Sequence, residues 1–370
     1  MAQIAVSYLF LYLFLFILLY VNWRKTLATS SSLPNTCKVA LLIPFRNEDS
    51  NLSGFLPMLM KWIPESWEVF FIDDCSEDSS YQTVEAFIHA KQINKWSLIK
   101  STKPGKKGAL ATGIYGTDAE IIITTDADMV LPNHNPWEYL LAFFSESKVN
   151  MVAGPIFPMQ NDGMMAEFQK YEWASVQLVT GATFGLQRPL ICSGANLAFR
   201  KSAFRQVGGY KGNEHLLSGD DEFLLKKFVR QFGADTVVFA NDPLSAVFFK
   251  PFEQMEDLLK QRIRWASKWN DHNNNFHSIF SIAAFILSVF PLLTPLFFFI
   301  GEWGVFYFLG FWTAKLSMDK LVLGKVIQTY GQRASFKGVV ITGLLHPLYV
   351  LATGWGVARG SVLWKGRKIK

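Results

Sequence analysis

The chain has 370 residues, half of them hydrophobic and only 18% charged, with a positive mean hydropathy. That composition excludes an ordinary soluble enzyme of this length and asks for a bilayer around part of it. The net charge is +6, but the Lys and Arg residues flank apolar segments and form no basic stripe interleaved with aromatics, so the charge reads as membrane-facing and no nucleic-acid partner is expected. The three cysteines, Cys37, Cys75 and Cys192, are an odd number at wide spacing. They fit neither a disulfide framework nor a zinc site, and reduced thiols suit a cytosolic face.

Ile4 to Val21 is an uncharged run of bilayer length followed at once by Arg24 and Lys25. The basic residues come after the apolar run, whereas a cleaved signal peptide would have them before it, so residues 1–25 are expected to be a membrane anchor. The same asymmetry expects an outside N-terminus and a cytoplasmic catalytic region, at the cytoplasmic membrane if the source is bacterial.

Thr29 to Asn35 reads as a linker. Val39 to Ile43, Val69 to Ile72 and Ile121 to Thr125 are then strand-length apolar runs, each ending in a polar cluster. They predict an α/β domain over residues 36–275 with a mainly parallel sheet, its ligands bound at the strands' carboxyl ends.

The first strand ends in Arg46, Asn47 and Glu48, and the second delivers Asp73 and Asp74. Carboxylates there can accept hydrogen bonds from a nucleobase or ribose, or can simply form an Asx turn before the next helix. The third exits into Asp126 and Asp128, a DxD arrangement. A diphosphate leaving group needs a hard cation, and Mg²⁺ or Mn²⁺ is held by one or two carboxylates with phosphate oxygens and water.

Between these, Lys103 to Gly113 is a Gly-punctuated basic loop opening a helix, suited to an anion but without Walker A spacing, or else a solvated turn. Ser218 to Leu225 contains Asp220, Asp221 and Glu222, a cluster that suits a general base or caps a helix N-terminus. Gln261 to Trp265, QRIRW, lies on an amphipathic, interfacial stretch; Arg264 can pair with a pyrophosphate and Trp265 offers a flat platform.

Beyond His277 the chain turns apolar again, over Ser278 to Ile300 and Trp303 to Leu316 as an expected hairpin, and over Val339 to Val357 as a third segment that either crosses or re-enters. Residues 276–360 are therefore a membrane region with two or three segments, and residues 361–370 a basic tail.

In this order the motifs resemble the family 2 glycosyltransferases of GT-A fold, including ceramide glucosyltransferase-like and other lipid glycosyltransferases, over Val39 to Trp265. The resemblance implies a nucleotide-sugar donor, a uridine nucleotide above all, and a lipid or lipid-linked acceptor at the membrane. It implies donor contacts from Glu48, Asp73, Asp74, Lys106, Asp126 and Arg264, with Mg²⁺ or Mn²⁺ on Asp126 and Asp128. It places Ser193, Gly194, Asn196, Asp220, Gln261 and Trp265 on the acceptor side and makes Asp221 the base of an inverting transfer. Asp220 departs from the family pattern, which commonly has Glu there, and Trp364 to Arg367 resembles the WKGR tail of some lipid-modifying members. A processive polysaccharide synthase and an idle, membrane-tethered nucleotide-sugar binder are the alternatives.

Overall fold

The computed structural model describes residues 2–27, 37–212, 219–267, 275–360, 362–364 and 367–369. The expected linker at Thr29 to Asn35, Ser218, and Lys365, Gly366 and Lys370 of the tail lie outside the described residues.

The chain opens with α1 (Ala2–Lys25), then alternates strand and helix: β1 (Val39–Phe45), α2 (Asp49–Trp62), β2 (Glu68–Asp73), α3 (Ser80–Lys91), β3 (Trp96–Lys100), α4 (Lys106–Gly116) and β4 (Ile121–Thr124). Next come β5 (Met129–Val130), α5 (Trp137–Leu141), β6 (Met151–Ala153), β7 (Ile156–Pro158), α6 (Met164–Gly185), β8 (Leu197–Arg200), α7 (Lys201–Gln206) and α8 (Glu222–Phe232). After β9 (Val237–Phe239) and β10 (Val247–Phe249), the described elements are helical apart from a terminal strand pair: α9 (Met255–Ala266), α10 (Asn275–Val289), α11 (Gly304–Thr329) and α12 (Phe336–Ala358). These elements form two compact units, one of residues 23–159 and 183–250, the other of residues 1–22, 160–182 and 251–370.

The first unit is built on a seven-stranded sheet in the order β3-β2-β1-β4-β8-β6-β9, beside a small sheet β5-β10-β7. β1 pairs in parallel with β2 and β4, and β2 with β3, so the first four strands end at one edge. β1 and β4 are buried at every position, which is why they read as continuous apolar runs rather than as alternation. The chain order reverses between β1 and β4, and such a switch point opens a crevice at the strands' carboxyl ends. β8 runs antiparallel between β4 and β6, with Thr124 opposite Leu197. The loop entering β8 therefore arrives at the edge where β4 leaves. One core cluster, including Leu42, Ile72, Leu110, Ile122, Phe199, Phe204 and Phe228, holds helices to this sheet.

Among the described residues three helical stretches are long and apolar enough to cross a membrane, nearly all of their length in the second unit: Gln3–Lys25, Ser281–Phe299 and Phe336–Ala358. The first exposes Phe10, Phe14 and Ile17, a face that water would not favour and hydrocarbon would. The expected hairpin is modified in its second arm. Its apolar run fills only the start of α11, which from Lys315 onward carries Lys315, Asp319, Lys320 and Lys325, and α11 is not among the three candidate spans. Inside the unit Lys315 pairs with Asp319 at 2.7 Å, and the Tyr12 hydroxyl donates to the same carboxylate. Buried polar groups in an apolar unit are retained when they satisfy one another, as these do.

Candidate functional site

The carboxyl edge of the first unit's sheet gathers most of the residues singled out in the sequence. Glu48 stands at the start of α2; its backbone N–H donates to Ser80 Oγ at 2.7 Å, and its Oε2 accepts from Asn51 Nδ2 at 2.7 Å. The turns after β1 and β2 each need a left-handed residue, Asn47 (φ 52°) and Cys75 (φ 58°), and Arg46 braces them by donating to the carbonyls of Asp74 and Cys75.

Asp73 and Asp74 are 5% and 3% exposed. Asp73 Oδ1 accepts from the Ser76 N–H at 2.9 Å, the turn-forming arrangement that the sequence left as an alternative. Asp74 Oδ1 accepts from the Gly105 N–H at 2.7 Å. Gly105 (φ 93°) caps the N-terminus of α4, so the chain's own Asp74 supplies an anion to that helix end, where a bound phosphate was expected to gain from it. The loop folds tightly: a Cβ on Gly108 would lie 2.2 Å from the Lys103 carbonyl oxygen, and only glycine fits.

From that loop Lys106 reaches to the DxD motif. Its Nζ lies 2.6 Å from Asp126 Oδ1 and 3.5 Å from Asp220 Oδ2, so one ammonium joins a carboxylate at the end of β4 to another that precedes α8. Burial alone would lower the Lys106 pKa; Asp126, Asp220 and Asp221 outweigh it and hold the ammonium above the ordinary lysine range. Asp220 is 6% exposed, whereas Asp126 is half-buried and Asp128 exposed. Tyr210, buried against Phe204, has its phenol pushed well above the ordinary range by burial and then by Asp220 and Asp221.

Asp221 is held by two backbone donors. Its Oδ1 accepts from the Glu222 N–H at 2.8 Å, capping α8, and its Oδ2 accepts from the Gly194 N–H at 3.0 Å. The capping reading is thus realised, and the second bond fixes the carboxylate against the loop before β8. These two N–H bonds orient the Asp221 carboxylate. The approach at Gly194 is close: a Cβ there would lie 2.7 Å from Asp220 Oδ2 and 3.4 Å from Lys106 Nζ, so those side-chain ends would have to shift. Its carbonyl accepts from Thr124 Oγ1 at 2.6 Å, which ties the loop to the strand that carries the DxD motif. Ser193 accepts from the Ala195 N–H at the loop's short helical turn.

Asn196 needs correction as an acceptor-side contact. It is fully buried, and its amide donates to the carbonyls of Pro155 and Ser245 at 2.8 and 2.9 Å, so its side chain locks the loop from beneath.

A divalent ion fits this donor set in one form. Among the described residues no three His, Cys, Asp or Glu side chains are grouped to hold a metal by themselves. Asp126 and Asp128 are hard oxygen donors beside a partly open edge, which matches an ion completed by diphosphate oxygens and water.

The QRIRW segment lies on α9 in the second unit, and Arg264, singled out in the sequence, is its more exposed arginine. Arg262, in an intervening position of the motif, is the buried one: its Nε and Nη2 form a fork on Glu172 Oε1 and Oε2 at 2.7 and 2.6 Å. Gln261 Oε1 accepts from Arg262 Nη1 at 2.5 Å, and the Tyr349 hydroxyl donates to Glu172 Oε1 at 3.2 Å. The guanidinium lies 4.2 Å from the Trp265 ring centre and 5.2 Å from that of Trp173, and the two indoles meet edge to face. Glu172 is far away in sequence and on another helix, so nothing local pointed to it. Arg264 is half-buried on the same helix.

Residues 121–327 match the family model described as glycosyl transferase family group 2. The poly-β-1,6-N-acetyl-D-glucosamine synthase of Staphylococcus aureus is 24% identical over 236 residues, covering 62% of this chain and 53% of that protein. A probable glycosyltransferase of Bacillus subtilis is 24% identical over 299 residues, covering 77% of this chain and 66% of that one. The chain thus spans about half to two-thirds of the length of these relatives. A solved mannosyltransferase from Pyrobaculum calidifontis, in complex with GDP-mannose and Mn²⁺, superposes with a TM-score of 0.61 at 16% identity, covering 96% of this chain and 95% of that one.

Proposed function

The chain belongs to glycosyl transferase family group 2 and has the GT-A fold, and on that premise we propose that it is an inverting glycosyltransferase passing a sugar from a nucleotide donor to a membrane lipid or lipid-linked acceptor. The observation that carries this reading is the convergence of Asp126, Asp128, Lys106, Asp220 and Asp221, from three separate stretches of sequence, on one edge of the sheet.

In the proposed mechanism the donor's nucleoside lies against the turns of Glu48, Asp73 and Asp74, and its diphosphate faces Asp126 and Asp128. A divalent ion held by those two carboxylates supplies charge neutralisation for the leaving diphosphate. Asp221, oriented by the Gly194 and Glu222 N–H groups, takes the proton from the acceptor hydroxyl as that oxygen attacks the anomeric carbon. The nucleoside diphosphate departs from the opposite face, which inverts the configuration. General-base assistance of this kind is worth about 10² to 10⁴ in rate. Ser193 and Gly194 line the acceptor side. Asp220 acts through Lys106 in this scheme, without touching substrate.

Three apolar helices support a membrane location, and Arg24 and Lys25 at the end of the first support a cytoplasmic site. They support a lipid acceptor as well. The test is incubation of membranes containing the protein with several radiolabelled nucleotide sugars and Mn²⁺, followed by organic extraction. Label entering the organic phase is the expected result, with a uridine nucleotide sugar as the first donor to try.

A processive synthase is the second reading, favoured by the name of the Staphylococcus relative. Product length decides: a single added sugar supports the first reading, and an extraction-resistant polymer supports the second.

A further inference from the structure

We propose that Lys106 is a built-in stand-in for the divalent cation, keeping the empty carboxylate site from loading metal until a nucleoside diphosphate arrives to take the lysine in exchange. This rests on the reading that Asp126 ligates the metal, and it adds an order of binding that the reading does not contain.

The motivating geometry is the position of one ammonium between two carboxylates of different origin, 2.6 Å from Asp126 Oδ1 and 3.5 Å from Asp220 Oδ2. Asp221, held beside them through Gly194, adds to the negative field on the same nitrogen. Two carboxylates that face one nitrogen, Asp126 and Asp220, repel each other and favour a cation between them. The chain supplies it covalently. The glycine at position 194 permits the arrangement, since a Cβ there would push on both Asp220 Oδ2 and Lys106 Nζ.

Lysine suits this role better than arginine would. Its ammonium is a compact point charge with three donors on a flexible stem, and the Lys106 side chain retains 23% exposure through which it can turn. A diphosphate presents oxygens that can replace Asp126 as partner to the ammonium, leaving the carboxylate for the metal. The lysine thereby converts two independent binding events into a coupled one, and each ligand raises the affinity of the other by the same factor.

The experiment is titration of Mn²⁺ into the detergent-solubilised full chain, with free ion read by electron paramagnetic resonance, first alone and then with excess UDP or GDP. The parent should bind Mn²⁺ weakly alone and about tenfold or more tightly with one of the nucleotides. Lys106→Met should bind Mn²⁺ alone about tenfold more tightly than the parent, a change within the range of one lost charge at contact distance in partly screened surroundings. Lys106→Gln, which retains a donor for Asp126, should shift the same way, and Lys106→Arg should stay with the parent. Neutral variants that bind Mn²⁺ alone no more tightly than the parent overturn the proposal.

A second measurement needs only the parent. Mn²⁺ alone should leave its melting temperature unchanged, whereas Mn²⁺ with nucleotide should raise it. If Mn²⁺ alone raises it by as much, Lys106 excludes nothing and the proposal falls, with the metal reading intact. If the parent binds no Mn²⁺ even with nucleotide, the metal reading fails and takes the proposal with it.

Discussion

Lys106 and Arg262 both meet carboxylates, in opposite settings. Lys106 is shared between Asp126 and Asp220 at unequal distances, with 23% of its side chain and 33% of that of Asp126 open to solvent. Arg262 makes a closed fork on one partner, Glu172, with both side chains under 10% exposed, and the guanidinium is covered by Trp265 and Trp173. A shared, half-open ammonium can be exchanged for another cation. A forked, stacked and buried guanidinium cannot, since removing either partner strands a charge in a dry place. On our proposal the same pairing chemistry serves an exchangeable site in one unit and a fixed tie in the other.

The largest effect that sharpens this contrast is expected from Asp128→Ala. Losing a metal ligand at the exchangeable site should weaken Mn²⁺-supported nucleotide binding by about a hundredfold, since the cation's charge is worth several kcal/mol there, without lowering the melting temperature. Calorimetric titration with UDP and Mn²⁺ checks the binding. Glu172→Gln at the fixed tie should do the reverse, destabilising the chain by about 3–5 kcal/mol. Thermal unfolding in detergent reads it; a variant as stable as the parent breaks the comparison.

Asn196→Ala should cost less, about 1–3 kcal/mol, because two buried carbonyls lose their donor while no charge is stranded. Nucleotide affinity should survive, measured at a temperature where the variant is folded. Gly194→Ala should leave stability within about 1 kcal/mol of the parent. It should nevertheless loosen Mn²⁺-supported binding several-fold, because the new Cβ moves Asp220 and with it Lys106. The smallest effect is expected from pH. The Lys106 pKa is raised in the folded protein, so its pairing is fully present below the unfolded lysine value of about 10.4 and is lost only as pH rises through the still higher folded value. Nucleotide-free Mn²⁺ binding should therefore show no lysine titration between about pH 7 and 8.5.

Much of the exchangeable site was legible in the sequence because it is carried on strand ends. Parallel strands covered on both faces read as unbroken apolar runs, and β1, β2 and β4 stand within two residues of where the composition put them. Their exits then had to carry the acidic pairs. What the sequence did not disclose is pairing across long separations. Lys106 could be seen as a basic residue near a helix start, but not as the partner of Asp126 and Asp220. Glu172 looked like any charged position on a long helix until Arg262 met it. Asn196 was legible as part of a loop but not as buried, because its burial follows from β8 running antiparallel between β4 and β6, an insertion that no local pattern announces.

The claim that the carboxylate edge performs sugar transfer, with Asp221 as its base, is tested most directly by comparing Asp221→Asn with the parent in one radiolabel assay at matched protein, alongside nucleotide binding. The account predicts that transfer falls by about 10² or more while donor affinity stays within a few-fold. Transfer by Asp221→Asn at the parent rate would contradict it.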